Sequence, residues 1–184
     1  MENKIFEANK ILQARNITKE FPGVKALTDF GFDLYKGEVH ALIGENGAGK
    51  STFIKILSGA FAPNKGEIII DDEKYHAFTP HTARRLGIQT VYQEDILVPS
   101  ITAAENIFLG MEETSGKKFF IDYKQMFKRA EALAKNIGIN IRIDEIYERL
   151  SPPDQQFVKI LKALAQRPKI LILDEPTQAF NKDD

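Results

Sequence analysis

The stretch Gly44-Glu45-Asn46-Gly47-Ala48-Gly49-Lys50-Ser51, with Thr52 after it, does more than any other to limit what this chain can fold into. It has the pattern G-x-x-x-x-G-K-[ST], preceded by an apolar run from Val39 to Ile43 and followed by a helix-like run to Leu57. The pattern needs that setting: a buried strand, a glycine-rich turn, and a helix whose N-terminus faces an anion. Glycines admit backbone conformations closed to other residues, so successive N–H groups can turn inward on phosphate oxygens. Lys50 then reaches the terminal phosphates and the Ser51 hydroxyl holds Mg²⁺. The expectation is an α/β fold of the P-loop type that binds a nucleoside triphosphate through residues 44–52.

Composition narrows the setting. A chain of 184 residues fits a single domain spanning 1–184, or one domain that is incomplete. Cysteine is absent, which excludes disulfides and thiolate metal sites. The net charge of −1 gives no electrostatic argument for a nucleic-acid partner. No apolar run approaches the roughly 18 residues that cross a bilayer, and Met1 to Ala8 lacks the apolar core of a secretory signal. A soluble protein able to dock on a membrane protein is expected.

Along the chain, Ile11–Thr18 forms a candidate strand. Phe30, Phe32 and Leu34 alternate with small or polar residues, as a half-buried antiparallel strand does. Pro22-Gly23 and Lys36-Gly37-Glu38 mark turns. Phe21, just before the first turn, is either core or a stacking surface for adenine. Glu67–Asp71 and Ile88–Tyr92 are further strands, with a short helix Pro80–Leu86 between them, capped by Thr79 and stopped by Gly87. Gln93 follows a central strand, where polar residues face the ligand crevice of α/β sheets, so it is placed to meet the metal or the attacking water.

From Thr102 the pattern turns helical. Thr102-Ala-Ala-Glu105 is a capping box, and Asp122 to Gln125 opens a helix closed by Gly138 whose stripe is Met126, Phe127, Ala130, Leu133, Ala134 and Ile137. Residues from about 95 to 150 form a helical subdomain inserted in the α/β core, with Met111–Lys118 an exposed loop. Pro153–Gln166 is a third helix with Phe157, Ile160, Leu161 and Leu164 on one face. Lys169–Leu173 reads as a strand covered on both faces, ending in Asp174-Glu175. Asp174 suits Mg²⁺, which wants oxygen ligands, and Glu175 suits a base that accepts a proton from attacking water. His40, His76 and His81 lack metal-ligand spacing and count as structural or surface residues.

Phe21, residues 44–52, Gln93, Leu150-Ser151 and Ile170–Glu175 stand in the order of the ATP-binding cassette (ABC) ATPases. Phe21–Leu27, Gly37–Thr52 and Ala104–Gly110 resemble in particular the subfamily that serves import of ribose, xylose, galactose and related sugars. The resemblance covers about Leu12 to Pro176. It implies a mixed sheet core with an N-terminal antiparallel β subdomain and an inserted helical subdomain. It also implies that two cassettes pair head to tail, each ATP lying between one phosphate loop and the partner's signature loop. On the same basis Phe21 stacks on adenine, Gln93 senses Mg²⁺ and couples to transmembrane permease subunits, Glu175 is the catalytic base, and Ser151 meets the partner's ATP. A sugar-binding protein would be involved only indirectly, nucleic acid not at all, and the place of work is the cytoplasmic face of the membrane.

Two departures from that pattern stand out. The signature, usually Leu-Ser-Gly-Gly-Gln, is here Leu150-Ser-Pro-Pro-Asp-Gln-Gln156, and Pro153 has no N–H to offer a phosphate. Loss of one such donor costs on the order of a hundredfold in rate. The simpler reading of Ser151–Asp154 is a helix start, although Pro152, preceding a proline, should resist helical geometry. Second, the family runs on past the Asp-Glu pair to a switch histidine, and no histidine follows Glu175 here. The chain therefore resembles the front part of a first cassette. The readings are an ATP-hydrolysing subunit for sugar uptake or, alternatively, a nucleotide-binding module with little or no turnover.

Overall fold

The computed structural model describes residues 10–92, 97–112 and 120–176. They fall into two compact units, Met1–Ile88 and Gln89–Asp184.

The first unit is built on a β-hairpin. Strands β1 (Lys10–Phe21) and β2 (Val24–Tyr35) pair antiparallel and close with Phe21 opposite Val24. Strand β3 (Lys65–Ile70) adds to the other edge of β1 and β4 (Glu73–Tyr75) to β3, giving the order β2-β1-β3-β4. Alternation puts Leu12, Ala14, Ile68 and Ile70 on one face, each at most 2% exposed. Helix α1 (Lys50–Leu57) buries Phe53, whose ring meets Phe30 and Phe32 edge-on at 4.8 and 5.2 Å. Burying a phenylalanine contributes about 1.5–3 kcal/mol, so the alternating aromatics of β2 are what seats α1. Helix α2 (Pro80–Arg85) has the expected Thr79 cap, accepting from the Thr82 amide, and the first-turn proline.

In the second unit, β5 (Ile88–Val91, starting at the boundary) pairs with β6 (Ile170–Leu173) in a two-stranded sheet. Helices α3 (Ala103–Phe108), α4 (Tyr123–Asn136) and α5 (Pro152–Ala165) enclose a core of Ile107, Phe108, Met126, Ala130, Val158 and Leu161 among others. The Thr102–Glu105 capping box is formed in both directions. The Ala103 and Ala104 amides at the start of α3 donate to the Glu145 and Ile143 carbonyls. Asn106 is fully buried and pins the preceding loop. Its Nδ2 donates to the Val98 and Thr102 carbonyls at 2.9 and 3.2 Å, and its Oδ1 accepts from the Val98 amide at 2.9 Å. No helix among the described residues is long and apolar enough to cross a membrane.

Four expectations are corrected. Residues 38–45 form no strand, and Val39 and Ile43 are 99% and 90% exposed. An apolar run becomes a strand only when a neighbour takes its N–H and C=O groups, and none pairs with it among the described residues. Strand β6 is not covered on both faces: Ile170 is buried, but Leu173 is 40% exposed. On α5 the fully enclosed apolar positions are Val158, Leu161 and Ala163, while Phe157, Ile160 and Leu164 are half-buried. Lastly, Pro152 is helical. Both prolines occupy the first turn, where N–H groups have no intrahelical partner to lose, and the Ser151 hydroxyl caps the Asp154 amide. Two elements went unforeseen, β4 and a 3₁₀ turn at Tyr147–Arg149. Residues 113–118 of the expected exposed loop lie outside the described residues.

Two measurements check this packing. Asn106→Leu leaves both main-chain groups of Val98 without their partner, so it lowers unfolding free energy by about 1–3 kcal/mol in denaturant titration. At the turn after β2, the Glu38 carboxylate accepts from the Tyr35 amide at 2.9 Å and pairs with His40 Nδ1 at 2.9 Å. The Tyr35 bond first, and His40 second, hold its pKa below the ordinary 4.5. A lowered folded-state pKa gives stability that is complete above the unfolded value and lost as pH falls through the folded one. In a carboxyl NMR titration the Glu38 midpoint therefore falls below 4.5, and Glu38→Gln flattens the stability curve in that acid range.

Candidate nucleotide site

The loop 44–49 leads straight into α1, and its shape follows from its glycines. Gly47 and Gly49 take φ of 85° and 88°, the left-handed region, and the Ala48 amide donates to the Glu45 carbonyl at 3.1 Å. A Cβ on Gly49 would lie 2.5 Å from the Ala26 carbonyl oxygen and 2.7 Å from a Leu27 methyl. Only glycine lets the loop sit that close to β2. Gly49 is also the N-cap of α1, without a side-chain cap, and the first turn holds no acidic residue. The first turn of the helix therefore supplies no anion to its own positive end, which suits an external one. Lys50 Nζ donates to the Gly44 and Glu45 carbonyls at 2.6 and 2.9 Å, clasping the start of the loop to its end. Ser51 is exposed, and Lys50 and Thr52 are half-buried. The structure thus runs residues 44–49 directly into the first turn of α1, with Lys50 folded back on the loop.

Phe21 ends β1 at the hairpin turn, half-buried, with its ring against Phe61. Sequence reasoning passed over Phe61. The only signal for it was an aromatic in an otherwise small and polar turn, Ser58–Asn64. Clefts of about 370 and 460 Å³ in this unit lie along the irregularity at Asn16 and are lined by none of residues 44–52. The chemistry of the loop marks the site better than concavity does, because an anion seat made of amides needs no deep pocket.

In the second unit the Asp174 amide donates to the Val91 carbonyl at 2.9 Å, carrying the β5–β6 pairing one residue past β6. Asp174 is half-buried. Glu175 is exposed and left-handed at φ 48°, an uncommon state for a side-chain-bearing residue. Ser151 caps α5 and donates its hydroxyl hydrogen to Asp154 Oδ2 at 2.8 Å. Gln155 Nε2 donates to the Tyr147 and Leu150 carbonyls, fixing the turn before α5. Gln93 lies outside the described residues. Among the described residues no three acidic or histidine side chains cluster as a metal site. The Ser51 hydroxyl in the first unit and the Asp174 carboxylate in the second are each hard oxygen donors, the type Mg²⁺ prefers. His40 is occupied by Glu38, and His76 Nδ1 lies 3.3 Å from the Gly66 carbonyl, so both serve structure.

Comparison with known proteins agrees with this local picture. The chain is 44% identical over 176 residues to a ribose import ATP-binding protein of Streptomyces coelicolor, covering 96% of this chain and 34% of that protein. A xylose import ATP-binding protein of Thermoanaerobacter pseudethanolicus is 46% identical over 176 residues, covering 95% of this chain and 34% of its own. The chain thus spans about a third of the length of these curated relatives. Among solved structures, an ATP-binding cassette of an ABC transporter superposes with a TM-score of 0.80 at 26% identity, over 94% of this chain and 71% of that one. A dimeric cassette in a post-hydrolysis state, bound to ADP and Pi, gives 0.75 at 27% identity, over 94% and 77%. The family model described as ABC transporter matches residues 27–178, and with that match over most of its length the chain belongs to the ABC transporter family.

Proposed function

We propose that this chain is an ATP-binding part of a sugar importer, coupling Mg-ATP binding and hydrolysis to uptake through partner membrane subunits. The observation that carries the reading is the loop at residues 44–49, left-handed at Gly47 and Gly49 and opening onto a helix start without a side-chain cap, beside the Lys50 ammonium. A triphosphate is the ligand for which this charge and amide pattern is suited. The relatives named for ribose and xylose import make a sugar the cargo class.

The residues divide the work by their chemistry. Main-chain amides of 44–52 hold the phosphates, and Lys50 exchanges its two carbonyl partners for phosphate oxygens. The Ser51 hydroxyl, Asp174 and Gln93 are the oxygen donors for Mg²⁺, which when bound neutralises phosphate charge. Phe21 gives adenine a stacking face. Glu175, exposed at the end of β6, accepts a proton from attacking water, with Gln93 orienting it. Ser151 serves the ATP of a second cassette, and the solved dimeric cassette supports such pairing. Residues from about 95 to 150 act as the helical subdomain, and the Gln93 region faces the permease subunits at the cytoplasmic side of the membrane.

Isothermal calorimetry with Mg-ATP tests the reading. Lys50→Ala removes the ammonium from the phosphate seat and lowers affinity at least tenfold, whereas equal affinity of the two proteins refutes it. Phosphate release in the presence of a partner cassette with an intact signature separates the two functional readings. Turnover abolished by Glu175→Gln supports the importer motor, and background release from the unaltered chain supports the non-hydrolysing module.

A further inference from the structure

We infer that Phe61 is a positioning residue that fixes the plane of Phe21 and sets the base platform at a constant distance from the phosphate loop. The inference rests on the reading of Phe21 as the adenine-stacking residue and goes beyond it. A single ring at a hairpin turn is a poor platform, because immobilising it on binding costs entropy. Here the ring is already held. The Phe21 and Phe61 centroids lie 5.4 Å apart with their planes at 69°, an edge-on geometry favoured by ring quadrupoles. The Lys19 ammonium lies 5.2 Å from the Phe21 centroid and 5.7 Å from that of Phe61. A hydrogen bond of 2.8 Å to the Ala62 carbonyl holds that ammonium in place. Lys55 approaches the Phe61 ring at 5.6 Å. Cations over both rings resist their rotation.

Phe61 is rooted in α1. Its amide donates to the Lys55 carbonyl at 3.0 Å, on the last turn of the same helix whose first residues are Lys50 and Ser51. The eight residues of α1 span about 12 Å at 1.5 Å per residue. One rigid helix therefore carries the phosphate seat at its N-terminus and the support of the base platform at its C-terminus. Simple core packing does not account for the arrangement: Phe21 and Phe61 are both only half-buried, with two lysine ammonium groups around them.

The test compares Mg-ATP with Mg-tripolyphosphate, which has the phosphates and no base, on the full chain by calorimetry. Phe61→Ala should weaken Mg-ATP about tenfold, the scale of one base–aromatic stack, and leave tripolyphosphate within twofold. Phe61→Tyr, which keeps the ring, should restore ATP affinity. Equal losses for both ligands, or no loss for ATP, overturn the inference. Phe21→Ala separates the failures. If it weakens ATP while Phe61→Ala does not, the positioning role is wrong and the stacking role stands. If it leaves ATP unchanged, the stacking role falls and the positioning role with it. Absence of tripolyphosphate binding by the unaltered chain overturns the phosphate seat and, with it, this inference. Should Phe61→Ala not fold, Lys19→Met removes the ammonium shared by both rings and is read by the same split between the two ligands.

Discussion

The contact on which the first unit turns is the approach of Gly49 to β2. A loop can turn successive amides toward one anion by entering left-handed backbone, which side chains usually forbid. At Gly49 the constraint is double. The φ of 88° excludes most residues, and the Ala26 carbonyl with the Leu27 side chain fills the space a Cβ would take. The same atom vacancy thus bends the loop and presses it on the sheet. Helix α1 follows from there, and Phe53 locks it by burying its ring against Phe30 and Phe32. Sheet, the end of the loop and helix are thus joined by contacts within a single unit.

Much of this was legible in the sequence because it rests on short-range rules. Thr79 before Pro80, the Thr102–Glu105 box and the alternation of Phe30, Phe32 and Leu34 each involve partners within a few residues, and each formed as the pattern implies. What escaped depends on distant partners. Val39–Ile43 has the composition of a buried strand, yet pairing is a property of two segments, and composition describes one. The α5 face was misjudged for a related reason: periodicity finds a stripe, while the neighbours decide which edge of it is enclosed. Asn106 was hidden in an apolar helix start, its value visible only once Val98 folds back on it. Pro152-Pro153 misled through the steric rule that disfavours helical geometry before a proline, a preference that the capped first turn of α5 overrides.

Among the described residues, Lys50, Ser51, Asp174 and Glu175 share a structural position, the point at which a regular element begins or stops. Backbone groups at such a point lack the partners that the ladder or helix supplies, so they are free to serve something else. Lys50 and Ser51 open α1, where amides outnumber acceptors. Asp174 and Glu175 close β6. There the Asp174 amide still bonds to Val91, and the chain then turns left-handed at Glu175 and leaves the ladder. A non-glycine residue in that conformation is strained by roughly 1–3 kcal/mol, a cost that the β5–β6 pairing and the packing of Ile170 must outweigh. The left-handed turn takes Glu175 out of the ladder and leaves it exposed. By the same logic the exposed end of β6 is no flaw in its burial: a strand that delivers carboxylates to water must come out of the core where they begin.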